Sequence, residues 1–126
     1  MRKLIYPGIF HREDNQYWVE FPDLPGCQSF ADTLTEIYEY AKEALTAYCV
    51  TLLEQGEKLA PPSDICQIKI EGDSFVSLVE ADLIKKSQAV KKTLTIPSWL
   101  NEKAEACHIN FSGVLQDALM QKLDIG

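Results

Sequence analysis

Six of the carboxylates between positions 14 and 43 stand out as candidates for metal-assisted chemistry: Asp14, Glu20, Asp23, Glu36, Glu39 and Glu43. Two-metal hydrolysis requires carboxylates that converge on ions about 4 Å apart. Asp14 and Asp23 fall in or beside turn-forming stretches, Glu20 falls on a strand pattern, and the other three fall on the wet side of a helical pattern. A solvated acidic surface is therefore expected, with no catalytic residues. A nucleophilic alternative pairs Cys27, which follows Pro25-Gly26, with His11 as base. No spacing brings those two together, and a cysteine after a turn reads as a small buried hydrophobe. The cysteines at 27, 49, 66 and 107 lack the two-to-four-residue spacing of a zinc site, and His11 and His108 stand apart from them. Buried free thiols are expected, with no metal and no cofactor. Tyr38, Tyr40 and Tyr48 could stack bases, but Tyr38 and Tyr48 lie on an apolar helical stripe and count as core.

The elements that would position these residues are legible in the pattern. "RKLIYPGIFHR" has strand composition broken by Pro7-Gly8, which points to an edge position or a bulge. After the turn residues of "EDNQ", Tyr17, Val19 and Phe21 alternate with Trp18 and Glu20, giving a second strand and a hairpin. The turn-rich "PDLPGC" leads to "QSFAD", a short strand suited to an edge. Thr33 and Glu36 have the spacing of a capping box, so a helix begins there. Leu34, Ile37, Tyr38, Ala41, Leu45, Tyr48, Cys49, Leu52 and Leu53 form its apolar stripe, and Gly56 supplies a stop. "ICQIKI" alternates as a further strand, Gly72-Asp73 makes a turn, and "FVSLV" reads as another strand. The body is thus α+β, a small sheet with a long helix on one face.

"KKTLTIPSWL" poses a separate problem. Leu94 and Ile96 alternate with Lys91, Thr93 and Thr95 as in a half-buried strand, yet everything after it looks helical. Leu100, Lys103, Ala104, Cys107 and His108 align on one helix; Val114, Leu115, Ala118, Leu119 and Leu123 align on a second that Asn110 can cap. One strand and two helices fall below the size at which a lone core suffices, and an unpaired strand leaves its backbone groups unsatisfied.

Charge divides the chain in the same place. Residues 1–84 hold six Lys/Arg against fifteen Asp/Glu, a net of −9, whereas residues 85–126 hold six Lys against four Asp/Glu, a net of +2. An acidic body argues against a protein that coats nucleic acid over its whole surface. Lysines 85, 86, 91 and 92 suit either an anionic partner or a solvated linker. No apolar run approaches the about 18–20 residues that cross a bilayer, and the start lacks a signal-peptide pattern, so a cytoplasmic protein without membrane contact is expected.

Two stretches resemble known families. "VKKTLTIPSWL" with "FSGVLQDAL" is similar to the ribbon-helix-helix module, in which two chains pair their single strands and place the ribbon in the DNA major groove. "YPGIF", "FPDLPGC" and the threonine-capped helix ending in "EAL" resemble the HicB antitoxins, which join a truncated RNase H-like domain to a DNA-binding tail. The resemblance implies a β-β-β-α-β domain over 1–80, a linker over 81–90 and a ribbon-helix-helix domain over 91–126. It implies DNA contacts from Lys91, Thr93, Thr95, Asn110 and Ser112, and dimerisation through Leu94, Ile96, Leu100, Val114, Leu115 and Leu119. The implied partners are a HicA-type mRNA-cleaving toxin, operator double-stranded DNA and a second copy, as a homodimer or higher even oligomer. Toxin-contacting residues are not assigned. Gly113 departs from the pattern, in a turn where a helix former is usual. The alternatives are a dimeric regulator or interaction protein without a toxin.

Overall fold

The computed structural model describes residues 4–86 and 89–125, and the chain divides into two compact units, Lys3–Ser87 and Gln88–Gly126. The first unit contains strands β1 (Leu4–Glu13), β2 (Gln16–Glu20) and β3 (Gln28–Ala31), helix α1 (Leu34–Glu54), strand β4 (Ser74–Ala81) and the single-turn helix α2 (Leu83–Lys86). The second contains α3 (Ser98–Ala106) and α4 (Phe111–Lys122). The four strands form one antiparallel sheet in the order β3-β2-β1-β4.

Asp14 and Asn15 close the β1–β2 hairpin with φ of 48° and 64°, the backbone of a two-residue turn whose twist matches the strands it joins. β1 lies at the centre of the sheet, which corrects the edge or bulge expected from Pro7-Gly8. Pro7 pairs in regular register with Leu78 of β4, while the ladder to β2 begins only at Ile9. A residue without an N–H is tolerated there because it belongs to a single ladder. Gly8 is closely packed: a Cβ at that position would lie 3.2 Å from the Phe21 ring and 3.3 Å from Val19, so a larger residue requires those side chains to give by a few tenths of an ångström.

"ICQIKI" is not a strand. Ile65–Gln67 forms one 3₁₀ turn and the following residues carry no ladder. The reason is competition for the free side of β1: the longer segment Ser74–Ala81 occupies it from Leu4↔Ala81 to His11↔Ser74.

α1 starts as its cap dictates. The Glu36 N–H donates to Thr33 Oγ1 at 3.1 Å, and the Thr33 hydroxyl donates to the Glu36 carboxylate at 3.0 Å. Ile37, Ala41, Leu45 and Cys49 are buried on its inner face, with Tyr6, Phe10, Val19 and Val79 contributing the core from the sheet. Thr46 is also buried, and its Oγ1 accepts from the Asp82 N–H at 3.1 Å, fastening α1 to the end of β4. The stripe is shorter than its sequence suggests. Leu34 is 52% exposed and Tyr38 47%, so neither is core. Tyr48 is half-buried and donates its hydroxyl to the Pro25 carbonyl at 2.8 Å.

All three longer helices end in the same way. Gly56, His108 and Asp124 have positive φ, and the next residue's N–H returns to a carbonyl five residues back: Glu57 to Leu52, Ile109 to Ala104, Ile125 to Met120. Only the first of these stops uses glycine. Among the described residues no helix is long and apolar enough to cross a membrane.

Leu45→Ala should lower the stability of the chain by about 2–5 kcal/mol, whereas Leu34→Ala should cost under about 1 kcal/mol, because only the first leaves a cavity. Denaturant unfolding midpoints at constant m-value check the difference.

Candidate functional site

The tail is a surface without a core. No residue of α3 or α4 is buried. Residues 89–97 carry no regular secondary structure in the single chain, and the expected strand at 91–96 has no ladder among the described residues. Lys91, Thr93 and Thr95 are exposed, and so are Leu94 at 58% and Ile96 at 43%. Leu100, Val114 and Leu119 are exposed as well, and Leu115 is half-buried. Asn110 caps α4 by accepting the Gly113 N–H at 3.2 Å, with Ser112 exposed in the first turn. A Cβ at position 113 would come within 2.8 Å of the Asn110 amide nitrogen, so glycine makes room for this cap.

The body presents the acidic candidates. Besides Glu36, which caps α1, two of the six carboxylates do more than face water. The Asp23 carboxylate accepts the Ser63 N–H at 2.9 Å and also the Ser63 hydroxyl. Together with the Tyr6 hydroxyl, which donates to the Ala60 carbonyl, this holds the loop that follows α1. Asp23 belongs to "FPDLPGC", a compact loop in which Phe21, Leu24 and Cys27 are buried and Gly26 takes a φ of 87°.

Glu20 meets His11 at 2.9 Å through Nε2, while Nδ1 lies 2.8 Å from Ser74 Oγ and the imidazole stacks on Trp18 at 3.9 Å. This cluster escaped sequence reasoning because it depends on register: Trp18 and Ser74 are the cross-strand partners of His11. A serine, a histidine and a carboxylate are the parts of an acyl-transfer triad. Here they lie on the face of a sheet and line none of the described grooves, so the contacts clamp three strands together. Among the described residues no group of three His, Cys, Asp or Glu is placed to hold a metal ion.

The thiols divide into two pairs. Cys27 and Cys49 are buried, whereas Cys66 and Cys107 are exposed, which corrects the expectation that all four are buried. Burial pushes the Cys27 thiol up to about 12, with Cys49 adding to the effect, and pushes Cys49 up to about 11. Burial likewise holds the Tyr6 phenol at about 12.

The first unit is acidic and ties its loop with hydrogen bonds, and the tail buries nothing within one chain. Comparison with known proteins places the chain among antitoxins. The family model described as "HicB_like antitoxin of bacterial toxin-antitoxin system" matches residues 6–118, and the chain belongs to that family. A protein of Haemophilus phage HP1, described as an uncharacterized 14.9 kDa protein in the rep-hol intergenic region, is 34% identical over 101 residues, spanning 77% of this chain and 76% of its own. Among solved structures, the Burkholderia pseudomallei antitoxin HicB is 26% identical with a TM-score of 0.67, covering 98% of this chain and 99% of that one. A chain of a toxin-antitoxin complex from Streptococcus pneumoniae is 27% identical with a TM-score of 0.62, covering 96% and 99%. A chain of a HicA3 and HicB3 toxin-antitoxin complex is 26% identical with a TM-score of 0.53, covering 63% and 99%.

The thiol environments carry a pH consequence. A folded thiol whose pKa is raised contributes stability that is fully present below its unfolded value of about 9 and is lost as pH rises through the folded value. Unfolding midpoints should therefore hold steady up to about pH 9 and fall toward pH 11–12. Native-state alkylation at pH 8, followed by mass spectrometry, should label Cys66 and Cys107 before Cys27 and Cys49.

Proposed function

We propose that the chain neutralises a HicA-type toxin through its acidic first unit and represses its own operon through its tail. In this reading the first unit is a truncated RNase H-like domain and the tail a ribbon-helix-helix module, working in the cytoplasm. Membership of the antitoxin family supports the toxin partner, as do the two relatives above that were solved as toxin-antitoxin complexes. The net charge of −9 over residues 1–84 adds an electrostatic reason, since an acidic surface accelerates encounter with a cationic protein and disfavours like-charged competitors.

The observation that carries the DNA-binding half is the absence of any buried residue in α3 and α4. Leu94, Ile96, Leu100, Val114 and Leu119 expose an apolar set that a unit of this size does not maintain in water alone. A second copy supplies what is missing: its own segment 91–96 pairs antiparallel with this one, and the four helices bury the apolar set. Leu115 joins that interface. The ladder satisfies the backbone and turns Lys91, Thr93 and Thr95 outward, where lysine reaches guanine N7/O6 or phosphate and threonine reaches base edges or a thymine methyl. Asn110 and Ser112 then stand at a helix N-terminus, where amides suit a backbone phosphate.

Lys91→Ala combined with Thr93→Ala should abolish binding to the promoter DNA of the chain's own operon, with the oligomeric mass and toxin binding unchanged. Electrophoretic mobility shift and light scattering read the two properties separately. An unchanged affinity refutes the ribbon readout. The wild-type affinity should fall steeply as salt rises from about 50 to 200 mM, because phosphate contacts release counterions. Co-expression with the adjacent gene should yield a stable complex of this chain with a small basic protein, and the purified complex should lack the RNA-cleaving activity of the free partner.

A further inference from the structure

Two grooves flank α1, and they differ in charge. On the β4 side a groove of about 370 Å³ is lined by Phe10, Leu34, Thr35, Tyr38, Phe75 and Ser77. The Lys42 ammonium stands over the Tyr38 ring there, 5.4 Å from its centre. On the β3 side a groove of about 450 Å³ is lined by Ser29, Phe30, Tyr40, Glu43 and Ala44, with a carboxylate and no cation in its lining. Glu36 adjoins it, because the Tyr40 hydroxyl donates to the Glu36 carboxylate at 3.4 Å. Positions 36, 40 and 43 recur at helical spacing, so these three side chains share one face of α1. The stretch Gln16–Glu54, which forms β2, β3 and α1, holds seven Asp/Glu against one Lys/Arg, a net of −6, and its single cation is the lysine at the other groove. Phe30 is 78% exposed, more than any other large apolar side chain of the first unit among the described residues. Its backbone is fixed by pairing with Trp18 of β2.

We propose that the groove between α1 and β3 is the surface on which the chain holds a cationic protein toxin, with Phe30 as apolar anchor and Glu43 and Glu36 as flanking acceptors for lysine or arginine. This surface presupposes the toxin partner inferred above. Charge selects both the groove and the occupant. A basic protein meets carboxylates on the β3 side and a lysine on the β4 side, so only the first groove complements it. Nucleic acid would bring phosphates against those carboxylates, and a second copy of this unit would bring its own acidic stretch against them. An exposed aromatic ringed by polar groups is the arrangement of an interface anchor, in which the ring supplies the burial and the charges orient the approach. Every residue invoked sits on a helix or a strand, so the surface exists before the partner arrives.

The test measures binding of the full chain to the purified product of the adjacent gene, by titration calorimetry and by association kinetics. Phe30→Ala removes an exposed side chain and should weaken the complex at least about tenfold, and Glu43→Lys should do the same. The circular dichroism spectrum and unfolding midpoint of each should match those of the wild type. Two controls fix the place. Glu71→Lys makes the same change of net charge at an exposed residue just ahead of β4, beside the opposite edge of the sheet, and Leu34→Ala trims the second groove. Both should stay within about threefold of the wild type, since a distant charge is screened. Glu43→Lys should also flatten the salt dependence of the association rate, whereas Phe30→Ala should act on dissociation. Wild-type affinity in either groove variant overturns the surface and leaves the toxin partner standing, and so does an equal loss in either control. A wild-type chain that does not bind the product removes the toxin partner and the surface together.

Discussion

The packing of α1 across one face of the sheet is the interaction on which the rest of the body depends. Ile37, Ala41, Leu45 and Cys49 bring one buried residue per turn to a sheet that returns Tyr6, Phe10, Val19 and Val79. Once that layer is closed, the remaining features of the unit have fixed reference points. The Thr46 hydroxyl finds the backbone of Asp82, the Tyr48 hydroxyl finds Pro25, and the Tyr6 hydroxyl finds Ala60. Each of these bonds leaves the core for a loop, so a single apolar layer organises the "FPDLPGC" turn and the return path to β4. Cys27 and Cys49 are part of the same layer, which is why their thiols are held neutral and serve as packing groups.

The tail reverses this logic. α4 is capped by Asn110, bonded to the Gly113 N–H, and a left-handed residue closes each C-terminus, yet α3 starts at Pro97 without a side-chain cap and nothing in either helix is buried. Capping fixes where a helix starts and stops at a worth of about 1 kcal/mol each; burial of apolar surface is what makes a domain cohere. The helices of this segment form within one chain, and no core forms around them. An exposed apolar stripe leaves that burial unmade within one chain.

Much of the body was legible because its determinants are local. The Asp14-Asn15 turn, the Thr33 and Glu36 cap, the Gly56 stop and the Asn110 cap each act within a few residues, and each is realised in the structure. What escaped was set by competition or by register. "ICQIKI" alternates as a strand should, but β1 has one free side and the longer segment Ser74–Ala81 fills it. Leu34 and Tyr38 have the right spacing for core, yet they line an open groove beside Phe75 at the start of α1. His11 required knowledge of which residues stand across from it, and Asp23 required the path of a loop forty residues away. Exposure of Cys66 and Cys107 follows from the same limit: the first lies in the displaced segment and the second ends a helix that buries nothing.

The β4 edge and the segment 91–96 pose one physical question, namely which groups satisfy a backbone that has a neighbour on one side or on neither. Water satisfies backbone groups readily, so an unpaired edge costs little until apolar side chains accompany it. At β4 those side chains stand on both faces of the strand; at 91–96 they alternate with polar ones. A strand that is apolar on both faces suits incorporation into a sheet covered on both sides, whereas an alternating strand suits a ribbon with one wet face. The difference in pattern sets the two segments apart. Of the two, only the alternating one could be paired and covered on its apolar side and still leave lysine and threonine in water.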